Sequence, residues 1–251
     1  MDHLSLLFIA GTLAGAMNAL AGGGSFVMFP AFLAAGLPPV TANASSTVAL
    51  WPGGAASAWT YRAGLHPVCG VSLQRLAPVT LVGGLAGGLL LLFTPGRAFD
   101  EIVPWLLLLA TLALAFGRRV GDSLHGKLPR GPILLIQFGL GVYGGYFGGA
   151  VGLMMLAAWS LLGERDIKAL NGPRTLMVTL ANTAAIAAFV VAHAISWPGV
   201  IVALLGGLLG GVLGARLGRR LPSGVVRAMT ITATALVTAA FFARLWFPGV
   251  I

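Results

Sequence analysis

The chain has 251 residues, of which 58% are hydrophobic and 8% charged, with a mean hydropathy of +0.95, whereas soluble domains carry about 25% charged residues. That balance leaves no room for a soluble domain, and it excludes a nucleic-acid reading of the +9 net charge, because the basic residues sit in short clusters between apolar runs, as in the cytoplasmic loops of an integral membrane protein. The one cysteine, Cys69, excludes an internal disulfide and any multi-cysteine metal centre.

Apolar runs of about 17 to 25 residues recur along the chain, each long enough to cross about 30 Å of hydrocarbon. In the first half they predict helices over 4–21, 25–35, 41–61, 73–93 and 103–117. The opening run ends in "ALA" like a signal peptide, but its n-region offers Asp2 and His3 and no Lys or Arg, so it is read as retained. The run is broken at "AGGGSFVMFP" by Gly22, Gly23 and Gly24. In the second half the predicted helices are 133–147, 151–162, 167–191, 198–216 and 225–246, with a break at Gly148 and Gly149.

The halves echo one another. "LVGGLAGGLLLL" from Leu81 returns as "LLGGLLGGVLGA" from Leu204, so that Gly83, Gly84, Gly87 and Gly88 reappear as Gly206, Gly207, Gly210 and Gly211. Gly36 matches Gly163, and Asn43 matches Asn171. The expected organisation is a first repeat over 1–120 with a hairpin at 4–35 and three spans, a basic cytoplasmic linker over 121–132, and a second repeat over 133–251 with a hairpin at 133–162 and three spans.

Lys and Arg orient the helices. The loops around Arg62 and Arg75, around Arg118, Arg119, Lys127 and Arg130, and around Arg216, Arg219 and Arg220 are placed in the cytoplasm, with both termini outside. The segment 133–162 then returns to the side it left, and the two glycine-paired helices run in opposite directions. The fold class is all-α, a polytopic transmembrane helical bundle of two inverted-topology repeats, the architecture of secondary transporters that bind substrate at discontinuous helices.

An unpaired backbone N–H costs several kcal/mol in hydrocarbon, so broken helix survives there only where protein, water or ligand satisfies it. The short helices that begin at Ser25 and Val151 point their first N–H groups and positive dipole ends at the breaks, which suits an anion. Close helix packing is the other reading of the glycines, and it is the stronger one for the runs at 83–88 and 206–211. Polar clusters open the helices that follow the hairpins: Asn43, Ser45, Ser46 and Thr47 in one half, Asn171, Arg174 and Thr175 in the other. Arg174 either pairs bidentately with a sulfonate or carboxylate or snorkels to the interface.

All six acidic residues, Asp2, Asp100, Glu101, Asp122, Glu164 and Asp166, fall at termini, loops or predicted interfaces. No metal site and no cofactor is expected. His66 and His193 stand at repeat-related positions, and imidazole is the side chain suited to carry coupling protons; interfacial histidines are the other reading. No nucleophile with a base stands at depth, and His125 lies in a basic loop, so no enzyme is expected.

These residues, "NALAGGGSFVMFPAFLAAGLPPVTANASS" above all, resemble the TauE/SafE family of sulfite and organosulfonate exporters, also called the toluene sulfonate uptake permease family. Gly22, Gly23, Gly24, Pro30, Gly36, Pro38, Ala42, Ala44 and Ser45 stand at the places of the family's first motif. The second copy departs from it, reading "FGGAVGLMML" with Ala157 in place of the proline. The resemblance implies transport of small anions such as sulfite, sulfoacetate or other sulfonates across the bacterial inner membrane. The expected function is a secondary carrier of such anions by alternating access, with Gly22, Gly23, Gly24, Ser25, Asn43, Ser45, Ser46, Gly148, Gly149, Asn171, Arg174 and Thr175 as substrate contacts. An anion channel using the same helix ends is the alternative. The expected partners are the anion, the lipid bilayer, coupling protons and a second copy in a homo-oligomer, and no nucleic acid.

Overall fold

A computed structural model describes residues 3–21, 23–123, 132–164, 166, 169–218 and 223–246. Gly22, Asp2, His125, Lys127, Arg130, Arg219 and Arg220 lie outside them, as does most of the expected linker. The described residues form ten α-helices, one short 3-10 turn and no strand. In chain order the helices are α1 (His3–Ala21), α2 (Ser25–Ala34), α3 (Pro39–Thr60), α4 (Leu73–Phe93), α5 (Gly96–Ser123), α6 (Ile133–Tyr146), α7 (Val151–Leu161), α8 (Asn171–Val191), α9 (Trp197–Gly218) and α10 (Ser223–Trp246).

Parts of α4, α5, α8, α9 and α10 are long and apolar enough to cross a membrane. The 22-residue α3 is as long but carries Thr41, Asn43, Ser45, Ser46 and Thr47 in its first turns, and it is not among those five. The 10-residue α2 and 11-residue α7 rise only about 15 to 17 Å, half the hydrocarbon thickness. A helix starting at 103 would hold Pro104 in its first turn, where proline is at home. Instead α5 starts at Gly96, and Phe99 N–H already donates to Pro95 O at 3.0 Å. Pro104 is interior.

The helices gather into two compact units. The first takes Met1–Gly53, Leu92–Thr111 and His193–Ile251; the second takes Gly54–Leu91 and Leu112–Ala192. One boundary falls inside α3, between Gly53 and Gly54, one residue past Pro52, which cannot donate the helical N–H bond.

In the first unit α1 lies along α9, helix on helix with almost no side chain between. A Cβ on Gly11 or Gly15 would strike the carbonyls of Ala203 and Gly207, and one on Gly206 or Gly210 those of Phe8 and Thr12. Small residues admit this approach, which dispersion and weak Cα–H···O contacts reward. Beside it α2 buries Phe26, Met28, Phe29 and Phe32. The Phe29 ring meets Phe99 edge-on at 6.1 Å and stacks with Phe241 at 5.7 Å.

In the second unit α4 packs in the same manner on α6 and on α8. Cβ atoms on Gly83 and Gly87 would strike the carbonyls of Phe138 and Val142, and one on Gly84 that of Ala181. The packing reading therefore holds at Gly83, Gly84, Gly87, Gly88, Gly206 and Gly210, whereas a Cβ on Gly207 would make only an ordinary contact with Gly11 O at 3.8 Å and one on Gly211 would have nothing within 4 Å. A polar chain crosses this core. Trp159 Nε1–H donates to Gln137 Oε1 at 3.1 Å, and Gln137 Nε2–H donates to Thr80 Oγ1 at 2.8 Å. Thr80 in turn donates to Leu76 O at 2.8 Å.

The connection from α3 to α4 closes this unit at one end. Val68 and Val71 exchange hydrogen bonds of 2.9 Å around a tight turn, with Cys69 at φ 52 and Gly70 at φ 79. The Cys69 amide donates to the Glu164 carboxylate, and its thiol faces Trp159 O at 3.7 Å. Cys69 is thus a buried small hydrophobe.

Candidate functional site

At each break one helix ends and a short one begins: α1 gives way to the 10-residue α2, and α6 to the 11-residue α7. At the first break Gly24 precedes α2 with φ −57 and ψ −32. Phe26 N–H donates to Gly23 O at 3.1 Å, and Val27 and Met28 N–H donate to Gly24 O at 3.1 and 3.0 Å. The amides of Gly23, Gly24 and Ser25 are not part of these turns and make up the open end of the helix. Gly23 and Gly24 are buried. A Cβ on Gly23 would meet the mobile end of Met17 at 2.9 Å, whereas one on Gly24 would meet Ala14 O at 2.7 Å, Asn18 Cβ at 3.0 Å and Leu50 Cδ2 at 3.3 Å.

The second break is not a plain copy. Gly148 has φ 75 and Ala150, which precedes α7, has φ 56, a left-handed conformation that costs a non-glycine residue about 1–2 kcal/mol. Phe147 and Gly148 N–H both donate to Tyr143 O, at 2.9 and 3.2 Å. The Tyr143 hydroxyl donates to Gly149 O at 2.8 Å. Leu153 and Met154 N–H take Ala150 O at 2.9 and 3.1 Å. The amides of Gly149, Ala150 and Gly152 stand outside these bonds and form the open end of α7.

Of the polar residues expected beside the breaks, Asn43, Ser45 and Ser46 are buried on α3. Ser45 Oγ accepts the Ser196 amide at 3.0 Å, so it also ties α3 to the start of α9. Leu50, one turn further along α3 than Ser46, reaches Gly24. On α8, Asn171 is the first residue, and the Thr175 hydroxyl donates back to Asn171 O at 2.8 Å.

Arg174 is the residue that the fold brings to a break. Its Cδ and Cγ lie 3.4 and 3.6 Å from where a Cβ on Gly152 would stand, so its stem runs along the first turn of α7. The Tyr61 backbone carbonyl rests on Gly172, two residues before Arg174. Val178, one turn along α8, lies 3.5 Å from the same Gly152 position.

Two carboxamides escaped the sequence reading. Asn18 on α1 lies against Gly24, and Asn182 on α8 places Oδ1 3.8 Å from where a Cβ on Gly148 would stand. That oxygen is buried and has no hydrogen-bond partner among the described residues. A single amide in an apolar helix carries no periodic signal; its cost in hydrocarbon is the only hint that sequence offers.

An all-helical bundle with long apolar spans and two half-length helices hung on glycine breaks defines a multi-pass membrane protein of the transporter class. A family model described as sulfite exporter TauE/SafE matches residues 7–241. The chain belongs to that family, and as a helical protein it is a multi-pass protein of the inner membrane. It is 30% identical over 242 residues to a probable membrane transporter protein of Haemophilus influenzae, covering 95% of this chain and 94% of that one. It is 28% identical over 239 residues to the probable membrane transporter protein YfcA of Escherichia coli K12, covering 94% and 88%. A probable membrane transporter protein, ORF9, of a Sinorhizobium species is 31% identical over 209 residues, covering 80% and 78%.

Proposed function

We propose that the protein is a secondary transporter of small sulfur-containing anions, such as sulfite, sulfoacetate or other organosulfonates, which it binds at the helix breaks and moves by alternating access. The observation that carries the reading is Arg174, whose stem lies against Gly152 at the open end of α7. A guanidinium and a helix N-terminus both favour an oxyanion, the one through charge-assisted paired bonds and the other through its amides and dipole. The family's name supplies the sulfur. The halves 1–120 and 133–251, taken as inverted repeats, give the chain one break for each half, as alternating access requires of such repeats.

The test is purified protein in liposomes with a panel of radiolabelled anions. Saturable flux of sulfite or a sulfonate supports the reading. Failure across the panel, with folded protein verified, overturns it, and single-channel currents in a planar bilayer would replace the carrier by a channel.

A further inference from the structure

We propose that Asn182 is a specificity-determining contact at the second break: its Oδ1 accepts a hydrogen bond from a donor group at the far end of the anion that Arg174 holds. The proposal rests on the reading of that break as an anion site. Arg174, Val178 and Asn182 follow one another at intervals of four along one side of α8, the spacing that stacks residues on a common face. Gly152 lies against the first two and Gly148 beside the third. The break and the first turn of α7 therefore run along this face from end to end.

The chemistry along the face is charged, apolar, polar. Arg174 and Asn182 are separated by about 12 Å of helix rise, and Val178 fills the interval. A bare oxyanion with a single heavy centre meets one end only. An organic sulfonate with a short apolar body and a terminal hydroxyl meets both, with its carbon atoms over Val178 and Gly152.

Asn182 Oδ1 is the atom that asks for such a group. It is buried and unpartnered among the described residues, and an acceptor held in that state is unfavourable until a donor arrives. Gly148 puts no side chain against that oxygen, which lies 3.8 Å from where a Cβ would stand. With Asn43 aligned on Asn171, the place of Asn182 in the first half is taken by Gly54. The first half has no carboxamide there, so the discrimination belongs to the second break alone.

Two probes of equal size separate the donor from the body: 2-hydroxyethanesulfonate and propane-1-sulfonate. Isothermal titration of the purified protein in detergent should show the hydroxylated sulfonate binding about tenfold tighter, the worth of one hydrogen bond. Asn182→Leu should bring the ratio to about one; Asn182→Ala serves equally if the leucine variant does not fold, as judged by its melting temperature. Equal affinities in the unaltered protein, no binding of either sulfonate, or a preference retained in a folded Asn182 variant would overturn the proposal. The underlying transport reading fails on a different result, the absence of flux for every anion of the liposome panel.

Discussion

The indole nitrogen of Trp159 and the carboxamide oxygen of Gln137 are joined by a 3.1 Å hydrogen bond in the buried core of the second unit. The same carboxamide spends its N–H on Thr80, so one side chain binds α7 to α6 and α6 to α4. All three residues are buried: Trp159 and Gln137 at 0% exposure, and Thr80 likewise. Gln137 links the other two, while Thr80 also donates to Leu76 O, so the loss of Gln137 strands the Trp159 indole and takes a donor from Thr80.

Gln137→Leu should therefore destabilise the protein by about 2–4 kcal/mol, because an indole N–H and a threonine hydroxyl are left with fewer partners in an apolar setting. Thermal melts in detergent check this. The double variant Gln137→Leu with Trp159→Phe should recover part of the loss, since the stranded donor is then gone. A Gln137→Leu protein that melts with the parent would show that the chain contributes nothing.

The glycine runs make a sharper prediction at two positions. Gly87→Val should abolish monodisperse protein in fluorescence size-exclusion chromatography, since its Cβ would collide with the Val142 carbonyl and lie 2.8 Å from the Tyr146 amide. Gly211→Ala, with nothing within 4 Å, should be neutral or stabilising by up to about 1 kcal/mol, as alanine favours helix over glycine.

Those two glycines also show what could be read from sequence. Apolar run length and the glycine breaks located every helix, because in hydrocarbon the backbone has no alternative to helix. Partner choice was not legible: that the run at Gly83 serves α6 and α8, while the run at Gly206 serves α1, depends on which backbones meet in three dimensions. Nor was the start of α5, because proline suits a first turn and Pro104 stands in the interior against that preference. At the candidate site, the breaks at Gly23 and Gly24 and at Gly148 and Gly149 could be located, because a helix break is conspicuous in an apolar sequence. Asn18 and Asn182 are single neutral amides, and only their position beside a glycine gives them meaning.

Arg174→Gln should raise the apparent KM for the transported anion by roughly tenfold or more, the worth of a charge-assisted hydrogen bond, while the melting temperature changes little. Initial rates in proteoliposomes over a range of anion concentrations check it. An unchanged KM would mean that the guanidinium serves the interface and not the substrate.

The most direct measurement of the central claim, that the anion binds to main-chain amides at the breaks, is anion uptake by Gly23→Val. This glycine is the one to alter: a Cβ there meets side chains alone, the flexible end of Met17 at 2.9 Å and the Thr230 methyl at 3.4 Å, whereas one at Gly24 would press on the Ala14 carbonyl and disturb the break itself. The expected result is a protein that expresses, melts like its parent, and no longer takes up labelled sulfite or sulfonate in liposomes. A folded Gly23→Val that transports at the parent rate would contradict the account and leave the first break as packing alone.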